Sequence, residues 1–157
     1  MTDERAPERY FEDYAPGSVF DGGTLTLSAD EIIDFARKYD PQAFHIDPVA
    51  AENGPFGGLV ASGWHTVSAT MRVLVENYLS GASSLGSPGV DDIRWLRPVR
   101  PGDVLRVRAT VLDSKVSNSK PDRGVVRTKV EALNEADEPV FHMTVLGLVR
   151  RRPGEQT

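Results

Sequence analysis

Val60-Ala61-Ser62-Gly63-Trp64-His65-Thr66-Val67-Ser68-Ala69-Thr70-Met71-Arg72-Val73-Leu74-Val75-Glu76-Asn77-Tyr78 is the longest periodic stretch of the chain. Val60, Trp64, Val67, Met71, Leu74 and Tyr78 step by 4, 3, 4, 3 and 4 residues, the spacing of an apolar stripe on an α-helix. The other sides carry Ala61, Gly63, Ala69 and Val73, and no charge precedes Arg72 and Glu76. Such a helix is predicted to run for about 20 residues, roughly 30 Å, and to be wrapped by other structure over most of its length.

Toward the N-terminus, Ser28-Ala29-Asp30-Glu31 forms a capping box, and Ile32, Phe35, Ala36 and Tyr39 recur on one face, which predicts a short helix over 28–39. Asp40-Pro41 ends it, because proline bars the α region to the residue before it. A loop from Asp40 to Gly58 should follow, with a helical turn near Pro48 to Asn53 for which Asp47 is a natural N-cap. Past the Gly81–Gly89 loop the period changes to two. Val104–Val111, Val125–Leu133 and Val140–Val149 read as strands, with turns at Ser117–Gly124 and Asn134–Glu138. Ile93, Trp95 and Leu96 mark another, and Ser18–Ser28 suggests a strand pair. Five or six clustered strands and one long buried helix give an α+β fold, an antiparallel β-sheet wrapped around a central α-helix.

The 157 residues suit one domain with a core of its own, spanning 1–157 with loose tails at about 1–9 and 151–157. The absence of cysteine excludes disulfide frameworks, thiol catalysis and thiolate metal sites. Residues 1–16 carry Asp3, Glu4, Glu8, Glu12 and Asp13 and no apolar run, so a cytoplasmic protein with no membrane partner is expected. The net charge of −5 divides unevenly, −8 over residues 1–90 and +3 over 91–157. A domain this acidic repels a polyanion, so no nucleic-acid partner is expected; the basic second half suits a small anionic ligand.

Three histidines bound the search for chemistry. His65 on the long helix and His142 in a strand read as structural, and without an H-E-x-x-H spacing no metal site is expected. His45 shares a proline-rich loop with Asp40 and Asp47, and a carboxylate and an imidazole five residues apart in a turn can reach one water molecule, one group accepting a proton and the other donating it. Gly57, Gly58, Ser62 and Gly63 lead into the N-terminus of the long helix, whose free N–H groups favour negative charge; the Gly63 N–H would stabilise a thioester oxygen turning into an enolate. The same glycines also serve tight turns and close packing.

Asp40-x4-His45-x-Asp47, the Phe56–Trp64 segment and Arg94-Trp95-Leu96-Arg97-Pro98-Val99-Arg100-Pro101-Gly102-Asp103 together resemble the MaoC-like dehydratases, the hot-dog-fold group of (R)-specific enoyl-CoA hydratases, over about Tyr10–Arg151. Members commonly carry Asn-Pro within the Asp/His pair and His-Gly at the helix start, where this chain has Gln42-Ala43 and Ser62-Gly63. The resemblance implies a hot-dog fold and reversible hydration of a 2-enoyl-CoA, or dehydration of an (R)-3-hydroxyacyl-CoA, in fatty acid metabolism. It implies syn addition by Asp40 and His45, a coenzyme A thioester as substrate with no cofactor, and a homodimer or higher homo-oligomer. Ser62 is expected to border the substrate and either to hydrogen-bond the pair or to cap the helix, with capping the preferred role. Tyr39, Phe56, Trp64 and Met71 are candidates for the acyl pocket, and Arg94, Arg97, Arg100, Lys120 and Arg123 for the coenzyme A phosphates. The alternatives are a hot-dog acyl-CoA thioesterase, for which Glu76 is the sole acidic residue on the long helix, and a non-catalytic module that binds acyl-CoA or a partner protein.

Overall fold

The computed structural model describes residues 7–154. Helix α1 (Ala29–Tyr39) starts where the capping box places it. Ser28 Oγ accepts the Glu31 N–H at 3.1 Å and the Glu31 carboxylate accepts the Ser28 N–H at 2.8 Å. Ile32 and Ala36 are its buried residues, whereas Tyr39, expected on the same face, is 72% exposed. The Asp40–Gly58 segment holds more helix than expected: α2 (Ala43–Ile46) as well as α3 (Pro48–Glu52). Asp47 caps α3, accepting the Val49 and Ala50 N–H groups at 3.0 and 3.1 Å.

Helix α4 (Gly63–Asn77) is 15 residues long, about 22 Å, and begins three residues later than the apolar stripe suggests. The reason is local. Val60 N–H donates to Phe44 O at 3.1 Å and Ala61 N–H to Val99 O at 2.8 Å, so these residues run extended between two neighbours. The buried face also differs from the stripe: Thr66, Thr70, Val73 and Leu74 face inward, while Trp64, Met71 and Val75 stay exposed. One sheet covers one side of a helix, so the expected wrapping on most sides is not achieved within the chain.

Five strands are found among the described residues: β1 (Val19–Thr26), β2 (Gly89–Trp95), β3 (Val104–Val116), β4 (Arg123–Leu133) and β5 (Pro139–Arg150). The anticipated pair in 18–28 is the single strand β1, with an irregularity between Asp21 and Thr24. The antiparallel order is β1-β3-β4-β5-β2, which leaves β1 and β2 as edges. Leu105, Val107, Ala109 and Val111 of β3, Val126 and Val130 of β4 and Phe141 and Met143 of β5 form the buried core with Val73 and Leu74. The period-2 alternation of β3 is what gives the sheet one apolar face to lay on α4, and the result is the α+β hot-dog arrangement.

The ends are tied closer in than expected. Arg9 donates to Asn77 O and Tyr78 O at 2.9 and 3.0 Å, Arg151 to Glu12 at 3.1 Å, and Arg152 to Asp13 at 2.5 Å. Residues 1–6 and 155–157 of the anticipated tails lie outside the described residues. Among the described residues no helix is long and apolar enough to cross a membrane.

Candidate active site

Asp40 ends α1, His45 sits on α2, and both meet the start of α4. Asp40 Oδ2 lies 3.3 Å from His45 Nε2. The same oxygen accepts the Ser62 hydroxyl at 2.8 Å, and Oδ1 accepts the Gln42 side-chain amide at 2.7 Å. His45 is 6% exposed, and its Nδ1 is 2.6 Å from Val60 O. A carbonyl only accepts, so Nδ1 carries the proton there, and in the neutral ring the Nε2 lone pair faces Asp40. Burial pushes the Asp40 carboxyl upward, but the Gln42 and Ser62 hydrogen bonds oppose it, the His45 ring adding to them only in its protonated form, and the group is held below its ordinary range.

Ser62 departs from its expected role. It is fully buried and its side chain makes no cap bond, being committed to Asp40, so the first N–H groups of α4 have no side-chain cap. Gly63 is required for packing: a Cβ there would lie 2.5 Å from Cε2 of the Trp95 indole. Both tryptophans of the chain meet here, Trp64 against Trp95 edge to face at 5.3 Å. Phe44 stands edge-on to His45 at 4.5 Å, and Phe56 edge-on to Phe44 at 5.2 Å. These side chains border a cleft of about 440 Å³ that also takes in Asp40, His45, Gly63 and Thr66.

The family model of the MaoC like domain matches residues 13–136. The chain belongs to the MaoC-like domain family. The crystal structure of a MaoC-like dehydratase from Rhodospirillum rubrum superposes with a TM-score of 0.86 at 41% identity, over 92% of this chain and 99% of that one. The uncharacterized protein YdeM of Bacillus subtilis is 27% identical over 140 residues, 89% of this chain and 98% of YdeM. The mesaconyl-CoA hydratase of Cereibacter sphaeroides is 37% identical over 164 residues, 92% of this chain but 42% of that enzyme, so this chain spans less than half the length of that relative.

Of the pocket candidates in this MaoC-like domain, Phe56 and Trp64 line the cleft. Tyr39 does not: it points into solvent, its ring 5.1 Å from Phe35. Met71 lies two turns down α4 from Gly63, 43% exposed and outside the cleft. The basic residues scatter. Arg97 lines the cleft, ion-paired with Glu138. Arg94 pairs with Asp92 at 3.5 Å, and strand alternation aims it away from the face that Trp95 uses. Arg123 pairs with Asp122 at 2.8 Å and sits opposite Arg150, nine residues along β5 from the Phe141 that faces Trp95. That is about 30 Å of strand, and Lys120 is in the same distant turn, so neither shares the cleft of its own chain. Arg100 donates to Phe56 O at 2.6 Å.

His65 stacks on Phe35 at 4.5 Å, its burial lowering the ring pKa, and His142 faces Arg94 and Glu131 across the sheet; both lie outside the cleft. Among the described residues no group of three or more histidines and carboxylates could hold a metal ion. Sequence reasoning missed Gln42 and the Val60 carbonyl as partners of the pair, and Phe44 and Trp95 as walls of the cleft. The i, i+2 spacing of Asp40 and Gln42 was a readable signal for one of them; a backbone carbonyl carries none.

Proposed function

We propose that this MaoC-like domain catalyses reversible hydration of a 2-enoyl-CoA, the reverse being dehydration of an (R)-3-hydroxyacyl-CoA, with Asp40 and His45 as catalytic residues and no cofactor. The observation that carries the reading is the 3.3 Å approach of Asp40 Oδ2 and His45 Nε2 on the wall of a cleft that opens at the uncapped start of α4. An ionised carboxylate and an imidazole with its proton on Nδ1 are both acceptors, so one water donates a hydrogen to each and presents an oxygen lone pair to C3 of the thioester. As the C3–O bond forms, one water proton passes to the pair and the C2=C3 electrons move onto the thioester oxygen. The Gly63 N–H and the α4 dipole stabilise that enolate, a contribution of about 3 kcal/mol. The pair returns the proton to C2 on the same face, so water adds syn. The names of the Rhodospirillum dehydratase and the Cereibacter hydratase support this reaction class.

Thioester hydrolysis is disfavoured. Glu76 is exposed and paired with Arg72 at 2.9 Å, 13 residues and about 20 Å along α4 from Gly63. The assembly we propose is a homodimer through β2 and the open side of α4, where a free strand edge adjoins exposed Val90, Trp95, Leu96 and Trp64.

Incubation with crotonyl-CoA tests the function: loss of enoyl-thioester absorbance without free thiol is expected. Asp40→Asn and His45→Ala should each lower kcat by about 100- to 10,000-fold with folding retained. Thiol release would replace hydration by hydrolysis, and binding of acyl-CoAs without turnover would leave a non-catalytic module.

A further inference from the structure

Arg100 closes the turn that enters β3, its N–H donating to Asp103 Oδ2 at 2.9 Å. Its guanidinium reaches back to Phe56 O at 2.6 Å, 44 residues away in sequence. The segment it touches has few other ties. Between Asn53 and Val60 the backbone is held by Gly54 N–H on Ala51 O at 3.0 Å and by Gly57 N–H on Gly54 O at 3.3 Å, and Gly57 lies at φ +66°. The guanidinium also shapes its own passage: a Cβ on Gly58 would stand 3.2 Å from Arg100 Nη1. From the Phe56 carbonyl the contacts run inward without a break, Phe56 ring to Phe44 ring at 5.2 Å and Phe44 ring to His45 at 4.5 Å.

We infer that Arg100 is a positioning residue, a latch that fixes the 54–58 loop so that Phe56 and Phe44 hold the aromatic wall of the cleft against His45. The kinetic part of this rests on the hydratase reading; the latch itself does not. A charge-assisted hydrogen bond gives such a loop one well-defined position, and with the bond gone the two glycines beside Phe56 allow many. The wall then has to be ordered each time an acyl group enters, which raises KM more than it lowers kcat.

The test compares Arg100→Ala, Arg100→Lys and Gly58→Ala with the unmodified protein, using crotonyl-CoA and crotonyl-pantetheine, which lacks every phosphate of coenzyme A. Amide hydrogen exchange of residues 56–58 is measured in parallel without any ligand. Arg100→Ala should raise KM about three- to tenfold for both thioesters with kcat within about twofold, and should speed exchange at 56–58. Arg100→Lys should recover part of the loss. Gly58→Ala, which displaces the guanidinium without removing its charge, should shift KM in the same direction by less. A KM effect seen with crotonyl-CoA and absent with crotonyl-pantetheine would assign Arg100 to a phosphate and overturn the latch, as would unchanged exchange at 56–58. If the unmodified protein hydrates neither thioester, the hydratase reading fails and the exchange result alone decides the latch.

Discussion

Ser62→Ala separates two roles for one hydroxyl. As an N-cap, Ser62 would contribute about 1 kcal/mol at every pH. In the structure it caps nothing and donates to Asp40 Oδ2 at 2.8 Å from a fully buried position. Removing it leaves that carboxylate oxygen with His45 as its neighbour, and a hydrogen bond to a charged group is worth about 1.5–3 kcal/mol. The sign with pH follows from the lowered Asp40 pKa. A group whose folded pKa is depressed adds stability that is present above its unfolded value, about 3.9, and is lost as pH falls through the folded value. Ser62→Ala should therefore cost about 2 kcal/mol in urea unfolding at pH 7, and the cost should shrink toward about 1 kcal/mol at the lowest pH where the protein stays folded, because a neutral hydrogen bond remains. The same substitution raises the Asp40 pKa, so the acid limb of kcat/KM should move to higher pH. A pH-independent loss near 1 kcal/mol with an unmoved acid limb would refute the anchoring role and restore the cap.

Gly63→Ala should destabilise the fold by about 1–3 kcal/mol, since the new Cβ meets the Trp95 ring, and should change the emission of a protein whose two tryptophans both lie at that contact; an unchanged melting curve and spectrum would contradict the packing. Light scattering should give twice the chain mass at micromolar concentration, and Leu96→Asp should shift the equilibrium toward the single chain; a monomeric unmodified protein would remove the β2 edge as the contact.

Much of the secondary structure was readable because its determinants are local. The Ser28/Glu31 box starts α1, Asp40-Pro41 ends it, Asp47 caps α3, and the alternation of Val104–Val111 marks β3. The start of α4 was not, because Val60 and Ala61 fit the apolar period yet are pulled out by Phe44 and Val99, partners distant in sequence. The candidate site divides in the same way. Asp40 and His45 were legible from residue type and spacing, and Phe56 and Trp64 stood among four candidates for the pocket. Tyr39 and Met71 have the same apolar character, but α1 and α4 turn them elsewhere, and only packing decides which side of a helix meets a cleft.

By itself the sequence determined the architecture, one helix laid on one antiparallel sheet, and the residue types that place a carboxylate and an imidazole in one loop. Those follow from backbone geometry and hydrophobic periodicity, which act within a few residues. The tertiary structure alone decided that Ser62 serves Asp40 instead of the helix, that the Val60 carbonyl fixes the proton on His45 Nδ1, and that Lys120 and Arg123 stand about 30 Å of strand from the cleft. Each depends on the direction of a single hydrogen bond or on how far a strand carries a side chain, and both are set only once distant segments have packed.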